Sequence, residues 1–217
     1  MFIEATPKPG TRKDKKALTR ARILDVARAR LEAVGFDATS IRDVAKEAGV
    51  ATGTVLLHFP DKRDLLHAAL FDGLEEVWSR AKKPGKARAL EPALTAIARA
   101  FYAFYASRPA LSRALLRESL FAAPPWSQRF GAQVADVHAH VAKLARAARE
   151  RGELAEDLDI DLLGAAFLSF YYFALLAWVQ GSHDDPARLF GRLLAQHLRA
   201  GAAKPHRRLS ASSKGDP

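Results

Sequence analysis

The stretch TSIRDVAKEAGVATGTVLLHFPDK, residues 39–62, decides the fold of the N-terminal part of the chain. Ser40, followed three residues later by Asp43, resembles a capping box and starts a short helix at about residue 41, with Val44 and Ala48 facing inward. Ala45 is small, and four residues on Gly49 permits a tight turn of positive φ. Val50 plugs the junction, and Val55 returns an apolar contact from a second short helix at about 52–58. Counted from Ile41, the small residue, the glycine and the apolar residue take the fifth, ninth and fifteenth places. Two helices crossing at roughly 90–120° through a 3–4-residue turn require that spacing. Such a unit presents its second helix to the major groove of DNA. An ordinary helical corner needs only Ala-x-x-x-Gly, whereas here every position is satisfied and a basic segment lies upstream.

Outward from this stretch, helix formers dominate and no alternating β-branched run bounded by turn signals appears, so the fold class is all-α. A first helix over about 17–34 places Ile23, Ala27 and Leu31 on one stripe, joined by Leu24 and Val34, and Gly35 stops it. Asp61 caps a longer helix to about 81. Further helices are expected near 88–107, 109–121, 126–151, 159–180 and 186–200, broken at Pro109, Pro124-Pro125, Gly152 and Gly181. Asp185 and Pro186 form a cap and first-position pair for the last of them. Residues 1–16 read as a flexible basic arm and 201–217 as a disordered tail.

The 217 residues are 49% hydrophobic and 27% charged, ordinary globular usage that excludes a collagenous or wholly disordered chain. Cysteine is absent, which removes disulfides, cysteine zinc sites, iron–sulfur clusters and thiol nucleophiles together. The net charge of +10 is concentrated at the ends: residues 1–20 hold six Lys/Arg against two Asp/Glu and 201–217 hold four against one, while 21–70 balance at seven each. A basic surplus suggests a polyanionic partner, nucleic acid first. The N-terminus lacks the apolar stretch of a secretory signal, so a cytoplasmic protein is expected. Residues 162–182 carry no charge and are long enough to span a membrane, but Asp157, Asp159, Asp161, Asp184 and Asp185 flank them without a Lys/Arg asymmetry. The expectation is a helix buried between other helices or between two subunits, with no membrane. His138 and His140 diverge by about 200° on a helix and cannot share a metal, so no metal is assigned. No Gly-rich phosphate loop or Gly-x-Ser-x-Gly elbow appears, so neither an enzyme nor a cofactor is expected.

Residues 20–70 resemble the DNA-binding domain of the TetR family of bacterial transcriptional repressors. The resemblance is carried by RARILDVARARLEAVGF, TSIRDVAKEAGV, GTVLLHF and the lysine of DKRDLLHAAL. Where the family usually has tyrosine this chain has Leu56, where it often has a second aromatic it has Leu57, and where it often has serine it has Ala51. Read physically, Lys62 supplies a charged phosphate contact, the amides at the start of its helix another, and His58 a weaker one. The segment ATGTVLLH has no Lys or Arg, so base contacts fall to Thr52, Thr54 and Leu57, the last on a thymine methyl. Arg42 is the candidate for reading a guanine, Gly53 allows close backbone approach, and Ser40 completes the expected DNA-contacting set.

The resemblance further implies a helix-turn-helix domain over 17–66 joined to an effector-binding and dimerisation domain over 67–200. Aromatic residues concentrate in the larger half, and core packing at helical spacing is their default use. Trp78, Phe101, Tyr105, Trp126, Phe130, His138, Phe167 and Tyr171 are the expected lining of an effector pocket. Phe170, Leu175, Trp178, Leu189 and Leu193 are the expected dimer contacts. The function implied is a homodimeric repressor on a palindromic DNA operator, released by a small, largely apolar ligand. The competing classes are a DNA-binding regulator without an effector, and a membrane-anchored or small-molecule-processing protein.

Overall fold

The computed structural model describes residues 11–83, 85, 89–119 and 122–200. Among these residues the regular structure is helical: α1 (Arg12–Ala38), α2 (Ile41–Glu47), α3 (Thr52–His58), α4 (Lys62–Ala81), α5 (Leu90–Ala106), α6 (Pro109–Ser119), α7 (Trp126–Glu150), α8 (Ile160–Val179) and α9 (Pro186–Ala200). From α2 onward the helices start and stop within two residues of the expected positions. The tail 201–217 and the first ten residues of the arm lie outside the described residues.

The first helix departs from expectation at its start. It begins at Arg12, so residues 12–16 belong to α1 and not to a flexible arm. The cause is a reciprocal capping box: the Thr11 hydroxyl accepts from the Asp14 amide at 3.2 Å, and the Thr11 amide donates to Asp14 at 2.8 Å. At the other end Gly35 adopts φ 81, as its role as a stop requires, and a short helical turn follows the kink. Ile23, Leu24, Ala27 and Leu31 are buried, but Val34 is 48% exposed, because the chain leaves the helix axis one residue later and the stripe ends there.

The chain forms two compact units. One joins residues up to Lys83 with Arg99–Val134, and the other joins Pro84–Ala98 with Ala135 onward, so the boundaries fall inside α5 and α7 and not at the expected junction after residue 66. In the first unit α1 is clasped to α4 by three polar ties. The Arg28 guanidinium donates to the Ala69 carbonyl at 2.7 Å, Arg20 pairs with Asp72 at 2.9 Å, and Lys62 donates to the Phe36 carbonyl at 2.8 Å. Glu32 caps α6 by accepting from the amides of Ala110 and Leu111 at 3.3 and 3.1 Å, satisfying donors that the helix itself leaves open. Between these ties Val44, Val55, Phe59, Leu65 and Leu66 are fully buried. Each such side chain contributes roughly 1.5–3 kcal/mol of burial.

The second unit is built around α8 and α9. Phe167 and Phe190, both buried, meet edge to face at 5.2 Å, and Phe170 meets the His197 ring at 5.6 Å. Asp159 caps α8 by accepting from the amides of Asp161 and Leu162. At Gly164 α7 comes close: a Cβ there would stand 2.6 Å from the His138 ring, so a larger residue would displace the imidazole.

Candidate nucleic-acid interface and ligand-binding residues

The corner between α2 and α3 is built as its spacing requires. Ala45 and Ala48 are buried, Gly49 has φ 65, and the Val50 amide closes the turn on the Ala45 carbonyl at 3.0 Å. Ser40 caps α2: its hydroxyl accepts from the Asp43 amide and donates to the Asp43 carboxylate at 2.7 Å. That hydrogen bond holds the Asp43 carboxyl below the usual carboxylate value; desolvation opposes it, and the Arg30 guanidinium at 3.0 Å adds a smaller lowering. Arg30 also pairs with Glu47, and Arg22 donates to the Ala48 carbonyl at 3.1 Å, so α2 is bound to α1 at both ends.

On this mount α3 exposes its apolar side chains. Leu57 is 83% exposed and Leu56 is exposed beside it, while Val55 on the opposite face is buried. Thr52 and Thr54 are half-buried and Gly53 is exposed, with open space around the position of a Cβ. Ala51 stands at the N-cap of α3 without a side-chain cap. Arg42 is exposed and makes no hydrogen bond or ion pair with any described residue. His58 is held below its ordinary pKa first by burial and then by the nearby charges of Lys16 and Arg20. Its ring is therefore neutral at pH 7 and keeps one N–H donor.

Lys62 has partners the sequence did not disclose. Its ammonium donates to the carbonyls of Phe36 at 2.8 Å and Asp37 at 3.4 Å, and stands 4.3 Å from the centre of the Phe36 ring. The last turn of α1 has no basic residue of its own, so Lys62 supplies from α4 the cation that favours a helix C-terminus. A phosphate would have to draw that ammonium away from two carbonyls. Arg12, Lys13, Lys15 and Lys16, by contrast, are exposed along the first turns of α1.

The expected pocket residues fall into separate groups. In the first unit Trp78 stacks on Phe101 at 6.3 Å, and Trp126 and Phe130 join His67 and Phe71 in a second aromatic cluster. Tyr105 is buried in the same unit. His138, Phe167 and Tyr171 belong to the second unit, where the Nε2 of His138 lies 3.1 Å from the Asp161 carbonyl oxygen, Phe167 packs on Phe190 and Tyr171 on Tyr172. Of the expected dimer contacts, Phe170, Trp178, Leu189 and Leu193 are half-buried. Leu175 is 0% exposed and is corrected to a core residue, because a side chain already enclosed by its own chain has no surface left for a partner. The exposed large apolar residues of α8 are instead Leu162, Tyr172, Phe173 and Leu176, which recur at helical spacing.

Residues 23–69, which include the whole α2–α3 corner, match the model of the bacterial regulatory proteins of the tetR family. That segment belongs to the TetR family. It is 38% identical over 106 residues to the transcriptional repressor KstR of Rhodococcus jostii, covering 48% of either chain. It is 25% identical over 181 residues to the repressor Rv1474c of Mycobacterium tuberculosis, covering 83% of this chain and 92% of that one. It thus spans about half the length of KstR and most of Rv1474c. In fold it resembles FadR of Thermus thermophilus, a repressor solved in complex with lauroyl-CoA, with a TM-score of 0.65 at 22% identity over 91% of this chain and all of that one.

Two features of this candidate interface lie beyond the sequence expectations. The first is the helical presentation of the N-terminal lysines, for which Thr11-x-x-Asp14 was the available signal. The second is the engagement of Lys62 by the end of α1, for which no local signal exists, since its partners lie 25 and 26 residues away.

Proposed function

We propose that this TetR-family chain is a cytoplasmic, non-enzymatic repressor that reads a palindromic operator through α3 as a homodimer. The observation that carries this is the exposure of Leu57 and Leu56 on a seven-residue helix whose neighbour α2 is tied to α1 at both ends. Packing gives no reason to leave leucines in water there; contact with thymine methyls in a major groove does. Arg42, exposed and unpaired, supplies the guanine contact, and the basic first turns of α1 supply phosphate contacts. The uncovered apolar face of α8 supports a two-fold partner. An apolar effector is favoured by the aromatic groups around Trp78 and Phe101, and the ligand of the Thermus FadR, lauroyl-CoA, carries an apolar acyl chain on a charged coenzyme.

Selection of bound fragments from genomic DNA gives the operator. On it, Arg42→Ala is expected to lose about 1–3 kcal/mol for the preferred base at one position only. Loss of affinity that is equal for every sequence would return Arg42 to the phosphate backbone. A selected site indifferent to both Arg42→Ala and Leu57→Ala would remove α3 from the interface.

A further inference from the structure

The start of α4, the end of α6 and the start of α7 border a half-open cavity of about 600 Å³ in the first unit, lined by neither Trp78 nor Phe101. Its apolar walls are Pro60, Ala122, Ala123, Pro124, Pro125 and Trp126, and its polar wall is formed by Asp61, Asp64, His67, Arg63, Arg117 and Glu118. The two guanidiniums are already matched. Arg63 pairs with Glu118 at 3.0 Å, and Arg117 pairs with Glu118 at 3.2 Å and with Asp37 at 3.4 Å. Asp61 and Asp64 have no cation among the described residues; they accept only neutral N–H groups, from the Asp64 amide at 2.8 Å and the Trp126 indole at 2.6 Å.

About one turn further along α4 stands His67, 4% exposed and stacked on Trp126 at 5.5 Å. No hydrogen bond from a described residue reaches either of its ring nitrogens, and Nδ1 is enclosed without a partner. A buried imidazole without a partner is a cost the fold carries unless something else satisfies it. We propose that this cavity binds a small primary amine on an apolar body. An ammonium carries three donors and no acceptor, which matches two uncompensated carboxylates and one imidazole lone pair, while the proline, alanine and tryptophan walls cover the body. Burial keeps His67 below its ordinary pKa, so the ring offers that lone pair at pH 7.

The site has a route to DNA that rests on the repressor function proposed above. Asp61 is the N-cap of α4, Lys62 beside it closes α1, and α3 ends at His58 only three residues earlier. An amine held by Asp61 and Asp64 acts on the mount of α3 directly.

The experiment is calorimetric titration of the full chain, without DNA, with 2-phenylethylamine and with 2-phenylethanol and 3-phenylpropanoate, which share its body. Saturable binding of the amine is expected, with both analogues about tenfold weaker or worse. Asp64→Asn retains an acceptor for Trp126 and His67→Phe retains the stack; each is expected to weaken the amine about tenfold. Circular dichroism establishes that the variants are folded, and should His67→Phe fail to fold, Asp64→Asn decides alone. No amine binding at millimolar concentration, a carboxylate that binds as well as the amine, or amine affinity unchanged in Asp64→Asn overturns the proposal. Because no DNA is present, failure of the repressor reading leaves these outcomes untouched; operator release by the amine is measured separately.

Discussion

Helices α4 and α8 are both 20 residues long, yet they dispose of their apolar surface in opposite ways. α4 carries ten buried residues, and its charged side chains face outward or toward named partners such as Phe36, Arg20 and Glu118. α8 carries no charge between Leu162 and Val179 and still leaves Leu162 65% and Phe173 56% exposed. The more apolar helix is the one less completely covered by its own chain. Apolar composition therefore marks a surface that needs cover without saying what provides it. For α4 the cover is α1 and α6, whereas part of the apolar surface of α8 is left uncovered by the described residues.

The largest effect expected from this contrast is at Leu175, on the covered side of α8. Leu175→Ala should lower the unfolding free energy by about 2–5 kcal/mol, as emptying a filled core site does, while the chain that remains folded still dimerises. Denaturant titration at several protein concentrations separates the two quantities; a monomeric but fully stable Leu175→Ala would put that residue in the interface after all. Phe173→Asp addresses the uncovered side. Sedimentation equilibrium should show dimerisation about a hundredfold weaker, near 2.8 kcal/mol, with helix content retained. Unchanged dimers would mean that the exposed face of α8 is covered by something other than a second copy.

Lys62 tests the same contrast at the α1–α4 contact. If its ammonium closes α1, Lys62→Met should cost about 1 kcal/mol of stability and leave the slope of log K against log salt for DNA unchanged. A slope smaller by about 0.9 would instead make Lys62 a phosphate contact. The smallest effect is expected from His67, buried where α4 meets Trp126. Burial lowers its pKa from 6.5, opposed by the carboxylates of Asp64, Glu118 and Asp61 and aided by Arg63. The unfolded chain then binds a proton below pH 6.5 that the folded chain resists, so stability is full above 6.5 and falls as the pH drops below it. His67→Phe should flatten that decline, leaving only the slope of the same sign from His58, whose pKa is also lowered. An unaltered pH profile would show that the ring is not shielded as its burial implies.

Where the determinant of a feature is local, the residues alone disclosed it. The α2–α3 corner rests on Ser40, Ala45, Gly49 and Val55, all within fifteen residues of one another, and each does in the structure what its spacing requires. Helix boundaries followed for the same reason: caps such as Asp61, Asp159 and Asp185 and the glycines at 35, 152 and 181 act on their own turn. The start of α1 was equally local, and Thr11 and Asp14 were overlooked among the lysines around them.

Other features depend on residues that no sequence window joins. That Lys62 belongs to the end of α1, that Glu32 caps α6 from 78 residues away, and that Asp64 holds the Trp126 indole are decided by which helices come together. The aromatic residues follow the same rule. Helical periodicity marks Trp78, Trp126, Phe167 and Leu175 as inward-facing, because that follows from 3.6 residues per turn. Whether an inward side chain meets its own core, a cavity or a second chain depends on the surface opposite it, and only the packed helices supply that surface.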